Sequence, residues 1–311
     1  MSGHKSKFSV TILGSNSALP ANGRNPTSQL LNVNNHYYLI DCGEGTQMQL
    51  RRFGLKMQRI KAVFISHMHG DHYFGLVGLL NSFHLLGRKM PLEIYAPESL
   101  QDIVRLQLDA SGGRLQYPIQ FHVLKAPQSG SAMIYSDSKL SVSAFRLKHR
   151  IPCCGFLFTE REKQRIYDPK SGGVAGVKVE EIPNLKKGHD VLREDGTLIR
   201  SEDYTKAPPK PRTYAYCTDT VPLDSTIDIV RGVECLYHEA TFLEAEKARS
   251  KQTFHSTASQ AASIARSAGV GKLLIGHYSA RYTELENHLI ESRSIFENTD
   301  LTIEGKEIEI I

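Results

Sequence analysis

The sequence predicts an α/β fold, and three observations carry that prediction. Short apolar runs rich in β-branched and aromatic residues, bounded by Gly, Pro, Asn and Asp, alternate with segments of helical spacing. Several of these runs end in a residue able to ligate a metal, at 67–72, 149, 219, 238 and 277. The densest ending, His67-Met-His69-Gly-Asp71-His72, follows the strand-like run Ala62–Ile65 and precedes Leu76, Leu79, Leu80 and Phe83 at helical spacing. Strand ends on one edge of a sheet converge in space, so residues far apart in sequence can share one site.

A length of 311 residues suits one large α/β domain or two small ones. Hydrophobic residues at 40% and charged residues at 23% are ordinary for a globular protein with a substantial core. The net charge of +5 is dispersed, which permits a polyanionic partner without requiring one. Five cysteines (Cys42, Cys153, Cys154, Cys217, Cys235) form no Cys-x-x-Cys pair and are odd in number, so reduced thiols are expected rather than a disulfide framework. No signal-peptide core follows Met1, and the longest apolar stretch, 75–86, is too short to span a bilayer. A cytoplasmic protein with no membrane partner is expected.

Taken in order, Phe8–Leu13 alternates as a strand and ends at Gly14-Ser-Asn-Ser, and the Gly and Pro of 20–28 mark an irregular loop. Leu30–Val33 and Tyr37–Ile40 flank a short hairpin connection at Asn34-Asn35-His36. Asp41-Cys-Gly-Glu-Gly-Thr-Gln47 opens a helix carrying Met48, Leu50 and Phe53. After the His/Asp cluster come a strand at Leu92–Ala96, a helix at Pro97–Leu108, and strands at Ile119–Leu124 and Leu140–Leu147, the last leading to Lys148-His149-Arg150. Residues 160–212 are charged, contain Gly172-Gly173 and Pro208-Pro209, and read as an excursion, with a small strand pair possible across Asp195-Gly196. Strands resume at Thr213–Cys217, Val233–Tyr237 and Lys272–Ile275. Thr257 and Gln260 form a capping box ahead of the helix Ala261–Ala268, and a helix over Glu284–Phe296 and two short strands close the chain.

Imidazole and carboxylate are the donors that zinc and similar divalent ions take. His67, His69, Asp71, His72, His149, Asp219 and His277 are too many for one tetrahedral ion and suit two ions sharing a carboxylate. Such a pair clamps the attacking and leaving oxygens of an in-line displacement at phosphorus. Each residue alone has a plainer reading: His149 a basic surface patch, Asp219 a turn residue, His277 a core histidine. Read together, they point to a metal site.

The chain resembles the metallo-β-lactamase superfamily and, within it, the short-form ribonuclease Z family of tRNA 3′-processing endonucleases. The resemblance is carried by Gly14-Ser-Asn-Ser-Ala-Leu-Pro20 with Arg24-Asn25 and Ser28, Asp41-Cys-Gly-Glu-Gly-Thr-Gln47, Ser66-His-Met-His-Gly-Asp-His72 and His149. It continues through Thr218-Asp-Thr220, His238-Glu-Ala-Thr241, His255-Ser-Thr257 and His277-Tyr-Ser-Ala-Arg-Tyr282. The His-x-His-x-Asp-His element marks only the superfamily; His-Glu-Ala-Thr paired with His-Ser-Thr is far more specific.

What the resemblance implies is a four-layer αβ/βα sandwich with two zinc ions per protomer. His67, His69 and His149 would hold one ion and Asp71, His72 and His277 the other, with Asp219 bridging. Asp71 would also be the catalytic proton acceptor. Precursor tRNA would be cut after the discriminator nucleotide by a cytoplasmic homodimer, leaving a 3′-hydroxyl on the tRNA and a 5′-phosphate on the trailer. The departing ribose oxygen needs a proton, and His255, oriented by Glu239, is a sensible donor. Arg24, Asn25, Arg281 and Tyr282 are candidate substrate contacts. Residues 156–211 correspond to the family's tRNA-binding arm but contain no Gly-Pro pair, so the arm is divergent. The alternatives are a metal-dependent phosphodiesterase or arylsulfatase-like hydrolase of small substrates, and a metal-free RNA-binding scaffold.

Overall fold

The computed structural model describes residues 6–112, 114–170 and 176–311. The chain forms two compact units: one runs through Thr159 and resumes at Arg212, and the other spans Glu160–Pro211.

In the larger unit the first nine strands are β1 (Phe8–Gly14), β2 (Ser28–Val33), β3 (His36–Ile40), β4 (Ile60–Phe64), β5 (Leu92–Ala96), β6 (Ile119–Val123), β7 (Ser131–Ser136), β8 (Leu140–Leu147) and β9 (Cys153–Glu160). The smaller unit contributes the two-residue strands β10 (Ile166–Tyr167), β11 (Val191–Leu192), β12 (Leu198–Ile199) and β13 (Thr205–Lys206). The larger unit then resumes with β14 (Thr213–Cys217), β15 (Cys235–Glu239), β16 (Lys272–Gly276), β17 (Thr299–Leu301) and β18 (Glu307–Glu309).

Two seven-stranded sheets result, ordered β18-β1-β2-β3-β4-β5-β6 and β17-β16-β15-β14-β9-β8-β7. Their facing sides bury a continuous core in which Phe64, Tyr95, Tyr135, Phe156 and Phe158 meet at centroid distances of 5.1–5.8 Å. Helices Thr46–Arg52, Leu76–Leu85 and Ser99–Ala110 cover the outer face of the first sheet through Leu50, Leu79, Phe83 and Val104. Helix Ala258–Ala268 covers the second through its alanine-rich stripe. Each sheet therefore buries both faces, which gives the helix–sheet–sheet–helix layering.

Strand direction explains why the ligand-type residues converge. β14, β15 and β16 are mutually parallel, with Cys217 opposite His238 and Glu239 opposite Gly276. Their carboxyl ends therefore lie on one edge. β3 and β4 are likewise parallel, which brings Asp41 and Ser66 to the same edge of the first sheet.

Most elements lie within a residue or two of their sequence expectation. The turn between β2 and β3 places Asn34 and Asn35 at φ 51° and 67°, the left-handed pair that a two-residue hairpin of this hand needs. The Thr257–Gln260 capping box forms as expected. In the larger unit two strands have no counterpart in the sequence reading, and in the smaller unit neither do β10 and β13. β7 is largely exposed, and its Ala-Met-Ile-Tyr run between two serines gives no alternation signal. β9 is buried on both faces, so its Cys-Cys-Gly-Phe-Leu-Phe run lacks period two, and it carries core positions Phe156 and Phe158 into the stretch expected to begin the arm at 156.

The smaller unit has its own core of Leu185, Ile199 and Tyr204. Strands β11 and β12 pair across Asp195-Gly196, with Gly196 at φ 83°. Arg193 grips Glu181 with two hydrogen bonds of 2.6 and 2.7 Å. The Gly172-Gly173 pair lies outside the described residues. Among the described residues no helix is long and apolar enough to cross a membrane, and all five cysteines are buried and unpaired.

Candidate active site

The loop after β4 and the short helix Gly70–Tyr73 deliver the first four donor side chains. That helix is seated by close backbone contact: a Cβ on Gly75 would lie 2.1 Å from the Gly43 carbonyl oxygen, and one on Gly43 would lie 2.5 Å from the Asp71 oxygen. Side chains other than hydrogen at these two positions would push the Asp71–His72 turn away from the sheet. His149 follows β8, Asp219 follows β14 and His277 follows β16.

These seven residues form two adjoining groups. His67, His69, His149 and Asp219 present donor atoms within 4.8 Å of one another, as do Asp71, His72 and His277. Asp219 faces both. Its Oδ2 lies 3.6 Å from His67 Nε2 and 3.5 Å from His149 Nε2, while its Oδ1 lies 3.3 Å from His72 Nε2 and 3.1 Å from His277 Nε2. Nε2 of His67 and of His149 each lie 3.1 Å from Nδ1 of His69.

The groups are built for a cation. The Nε2 atoms of His72 and His277 are buried and make no well-formed hydrogen bond, facing only the Asp71 and Asp219 carboxylate oxygens at 3.1–3.5 Å, an arrangement that a cation between them would satisfy. Burial and the neighbouring His72 hold His67 well below the ordinary histidine range, so its lone pair is available. Burial would raise Asp71 and Asp219, but the facing histidines outweigh it and hold both well below the usual carboxylate range. Imidazole nitrogens with two carboxylates are the donor set of zinc and similar borderline ions.

The other ring nitrogens of His67, His72, His149 and His277 are anchored, which orients those imidazoles. His149 Nδ1 donates to the Phe254 carbonyl at 3.0 Å. His72 Nδ1 meets Asp41 Oδ2 at 2.7 Å, and Asp41 also accepts from Ser66 N–H, Ser66 Oγ and Tyr216 Oη at 2.7–2.9 Å. Asp71 Oδ2 accepts from the Ala18 N–H at 2.7 Å. Ala18, Asp41, Phe254 and His277 all adopt left-handed backbone, with φ between 53° and 61°. Such non-glycine conformations cost on the order of 1–3 kcal/mol each, and the surrounding contacts hold them.

His277 and His255 share one support. His277 Nδ1 lies 2.9 Å from Thr241 Oγ1, which donates to Glu239 Oε2 at 2.7 Å. Glu239 Oε1 accepts from His255 Nδ1 at 2.8 Å. The Thr220 and Thr241 N–H groups complete this fully buried carboxylate at 3.0 and 3.1 Å. Burial opposes the imidazolium of His255, but the Glu239 charge and hydrogen bond overcome that and raise it to about 9. Glu239 touches His255 and Thr241, so it positions other groups rather than facing the cleft. His238, its strand neighbour, points to the other face of the sheet by the alternation of β15 and stands outside both donor groups.

The donor groups open into a cleft of about 420 Å³. Asp71, His255, Phe74, Arg150, Arg249 and Arg281 are among its lining residues. Residues 8–167 match the family model described as Anti-Pycsar protein Apyc1, which takes in the first half of the site. Over 299 residues the chain is 43% identical to Ribonuclease Z of Bacteroides fragilis (strain YCH46), spanning 96% of this chain and 98% of that protein. The chain belongs to the ribonuclease Z family. Human tRNase Z, short form, has a similar structure, with a TM-score of 0.71 and 28% identity over 97% of this chain and 99% of that one. The metallo-β-lactamase fold protein YhfI from Bacillus subtilis shares the fold, with a TM-score of 0.68 at 19% identity over 97% and 99% of the two chains.

Within this ribonuclease Z framework the four residues expected to touch substrate are placed differently from one another. Arg24 bonds Asn16 Oδ1 at 3.0 Å and the carbonyls of Tyr282 and Thr283 at 2.5 and 3.3 Å. Asn25 is held by Glu304 through its N–H and Nδ2 at 2.6 and 2.7 Å. Both side chains therefore tie loops of the protein together. Tyr282 packs edge-on against buried His288 at 4.6 Å and accepts from the Leu243 N–H. Arg281 alone of the four lines the cleft, paired with Glu246 at 2.9 Å and lying over Phe242.

The sequence reading passed over Phe74, Arg150 and Arg249 at the cleft. Phe74 is 65% exposed at the cleft, which only the folded structure shows. Asp41 stands in the Asp41–Gln47 motif, but its anchoring of His72 comes from contacts that the motif does not show. Asp41→Asn is expected to lower metal affinity roughly 10–100-fold with little change in melting temperature of the metal-free protein. A zinc titration monitored by competition with a chromogenic chelator would measure it, and unchanged affinity would remove Asp41 from the anchoring role.

Proposed function

We propose that this ribonuclease Z family member is a zinc-dependent endoribonuclease that removes 3′ trailers from tRNA precursors, cutting after the discriminator nucleotide. The observation that carries the reading is the convergence of two metal-type donor groups with an acid-bearing pair, His255–Glu239, in one cleft of a chain that is 43% identical to a Ribonuclease Z along nearly its whole length. His67, His69 and His149 would hold one ion, Asp71, His72 and His277 the second, and Asp219 would face both. A bound divalent pair supplies Lewis acidity there, lowering the pKa of water and offsetting charge on the reacting phosphate.

The protein's own groups account for the remaining steps. Asp71, fixed by the Ala18 N–H, stays ionised and orients the attacking water by accepting its hydrogen. The P–O3′ bond breaks as the water oxygen bonds phosphorus. The departing ribose oxygen is a poor leaving group and takes a proton from His255, whose Glu239 partner keeps it protonated through neutral pH. The products are a tRNA 3′-hydroxyl and a trailer 5′-phosphate. Phe74 offers a face for base stacking, and Arg150, Arg249 and Arg281 offer charge to phosphates beside the cut. Glu160–Pro211, with exposed Lys170, Lys178 and Lys187, is the candidate tRNA-binding arm. A homodimer and a cytoplasmic location are carried by the family resemblance.

The test is cleavage of a 3′-extended tRNA precursor by zinc-loaded protein, with cut sites mapped to the nucleotide and Asp71→Ala as control. A single cut beside the discriminator base, lost in the variant, is expected. Metal-dependent hydrolysis of a small phosphodiester with tRNA left intact would move the activity to small substrates.

A further inference from the structure

A second depression adjoins His149, and His255 is not among its lining residues. It encloses about 810 Å³, and His149 and Arg150 line both it and the catalytic cleft. Its lining holds the cations Lys125, Arg146, Lys148 and Arg150 and no carboxylate. All four are exposed, and among the described residues their side chains make no ion pair or hydrogen bond. An unpaired cation set of one sign focuses potential and collects anions.

The spacing of the cations is ordered by the strand that leads to His149. Arg146, Lys148 and Arg150 stand at every second position along the end of β8 and the segment after it, while Leu147 between them is buried. Along the extended end of β8 the backbone rises about 3.3 Å per residue, so Arg146 and Lys148 stand ~7 Å apart, and the chain then bends at His149 and Arg150 beside the donor groups. That step is comparable with the separation of successive phosphates in a stretched single strand. Between the charges the groove has an apolar stretch, with Pro152 exposed, Ile151 half-buried and Leu124 buried at its floor. A duplex hides its base faces, whereas a single strand can lay them on such a surface.

We propose that this groove is the path of the single-stranded 3′ trailer, gripping the RNA downstream of the cut through Lys125, Arg146 and Lys148. The inference rests on the processing reading above and extends it. His255 protonates the oxygen that stays with the tRNA, so the tRNA body occupies the His255 side of the reacting phosphate. The groove adjoins the donors at His149 without reaching His255, which is the side left for the other half of the substrate.

The test compares wild type with a Lys125→Glu/Arg146→Glu double variant, both zinc-loaded, on precursors carrying trailers of one and of about ten nucleotides. The variant is expected to raise KM for the long trailer roughly tenfold or more at unchanged kcat, and to leave the one-nucleotide precursor unaffected. An equal change for both lengths, or none, overturns the proposal. Should wild type cut no tRNA at all, the processing reading fails by itself, and a 5′-phosphorylated octaribonucleotide then decides the groove. Weaker binding by the variant, with a log–log salt slope shallower by about 1.4 for two lost phosphate contacts, sustains it as a single-strand site; identical binding removes it.

Discussion

Asp219→Ala is expected to empty both donor groups of metal and to reduce tRNA-precursor cleavage by on the order of 10³–10⁴-fold or more, the rate equivalent of several kcal/mol of transition-state stabilisation. The reason is geometric. One Asp219 oxygen faces His67 and His149, the other faces His72 and His277, at 3.1–3.6 Å. Among the seven donors Asp219 is the one whose two oxygens face both groups, so its loss reaches both. Asp219→Asn keeps the shape but loses the charge and one oxygen acceptor, and should retain at most one ion per chain. Metal content by mass spectrometry under native conditions, read beside cleavage rate and the melting temperature of the metal-free proteins, makes the test. A variant that folds and still carries two ions would remove Asp219 from its shared position.

His255→Ala should lower kcat by roughly 10²–10⁴-fold while metal content stays unchanged, the range for losing one general acid. The pH profile gives the sharper reading. His255 is raised to about 9 by Glu239, so its acid form prevails below that pH and is lost as pH rises through it. Turnover is therefore expected to hold through neutrality and to fall on the alkaline side, with bound cations pulling that limb below 9 by repelling the imidazolium. Glu239→Gln removes the charge that raises His255, leaving burial to lower it. The alkaline limb should then move to lower pH by about two units, in line with loss of a hydrogen-bonded counter-charge. The loss should be mildest in acid. A uniform loss at every pH would show that Glu239 acts only through the fold, by way of Thr241 and His277.

Both experiments address residues that stand in recognisable sequence patterns, and the legibility of each had a physical basis. The His67–His72 run was readable because its four donors are local: six residues at a strand end hold them together whatever the rest of the chain does. His149, Asp219 and His277 were readable as a pattern of strand ends, and for Asp219 and His277 the parallel run of β14, β15 and β16 brings the carboxyl ends to one edge. The capping box at Thr257 and the asparagine hairpin at 34–35 were readable because each is satisfied by its own backbone.

The tertiary structure decided what depends on side-chain direction across long separations. Arg24 and Asn25 read in sequence as candidate substrate contacts, yet Glu304 and the carbonyls of Tyr282 and Thr283, more than 250 positions away, take up their polar groups. The Ala18 N–H that fixes Asp71 and the Phe254 carbonyl that fixes His149 belong to backbone, and backbone donors and acceptors carry no residue identity to read. Asp41 could be seen as part of a motif, but its role arises only where β3 and β4 run parallel and set it beside His72. The sequence by itself determined which chemistry this protein carries, because metal ligation and proton transfer demand particular side chains. Folding decided which of the remaining groups hold those side chains in place and which face the substrate, because that depends on distances no local pattern encodes.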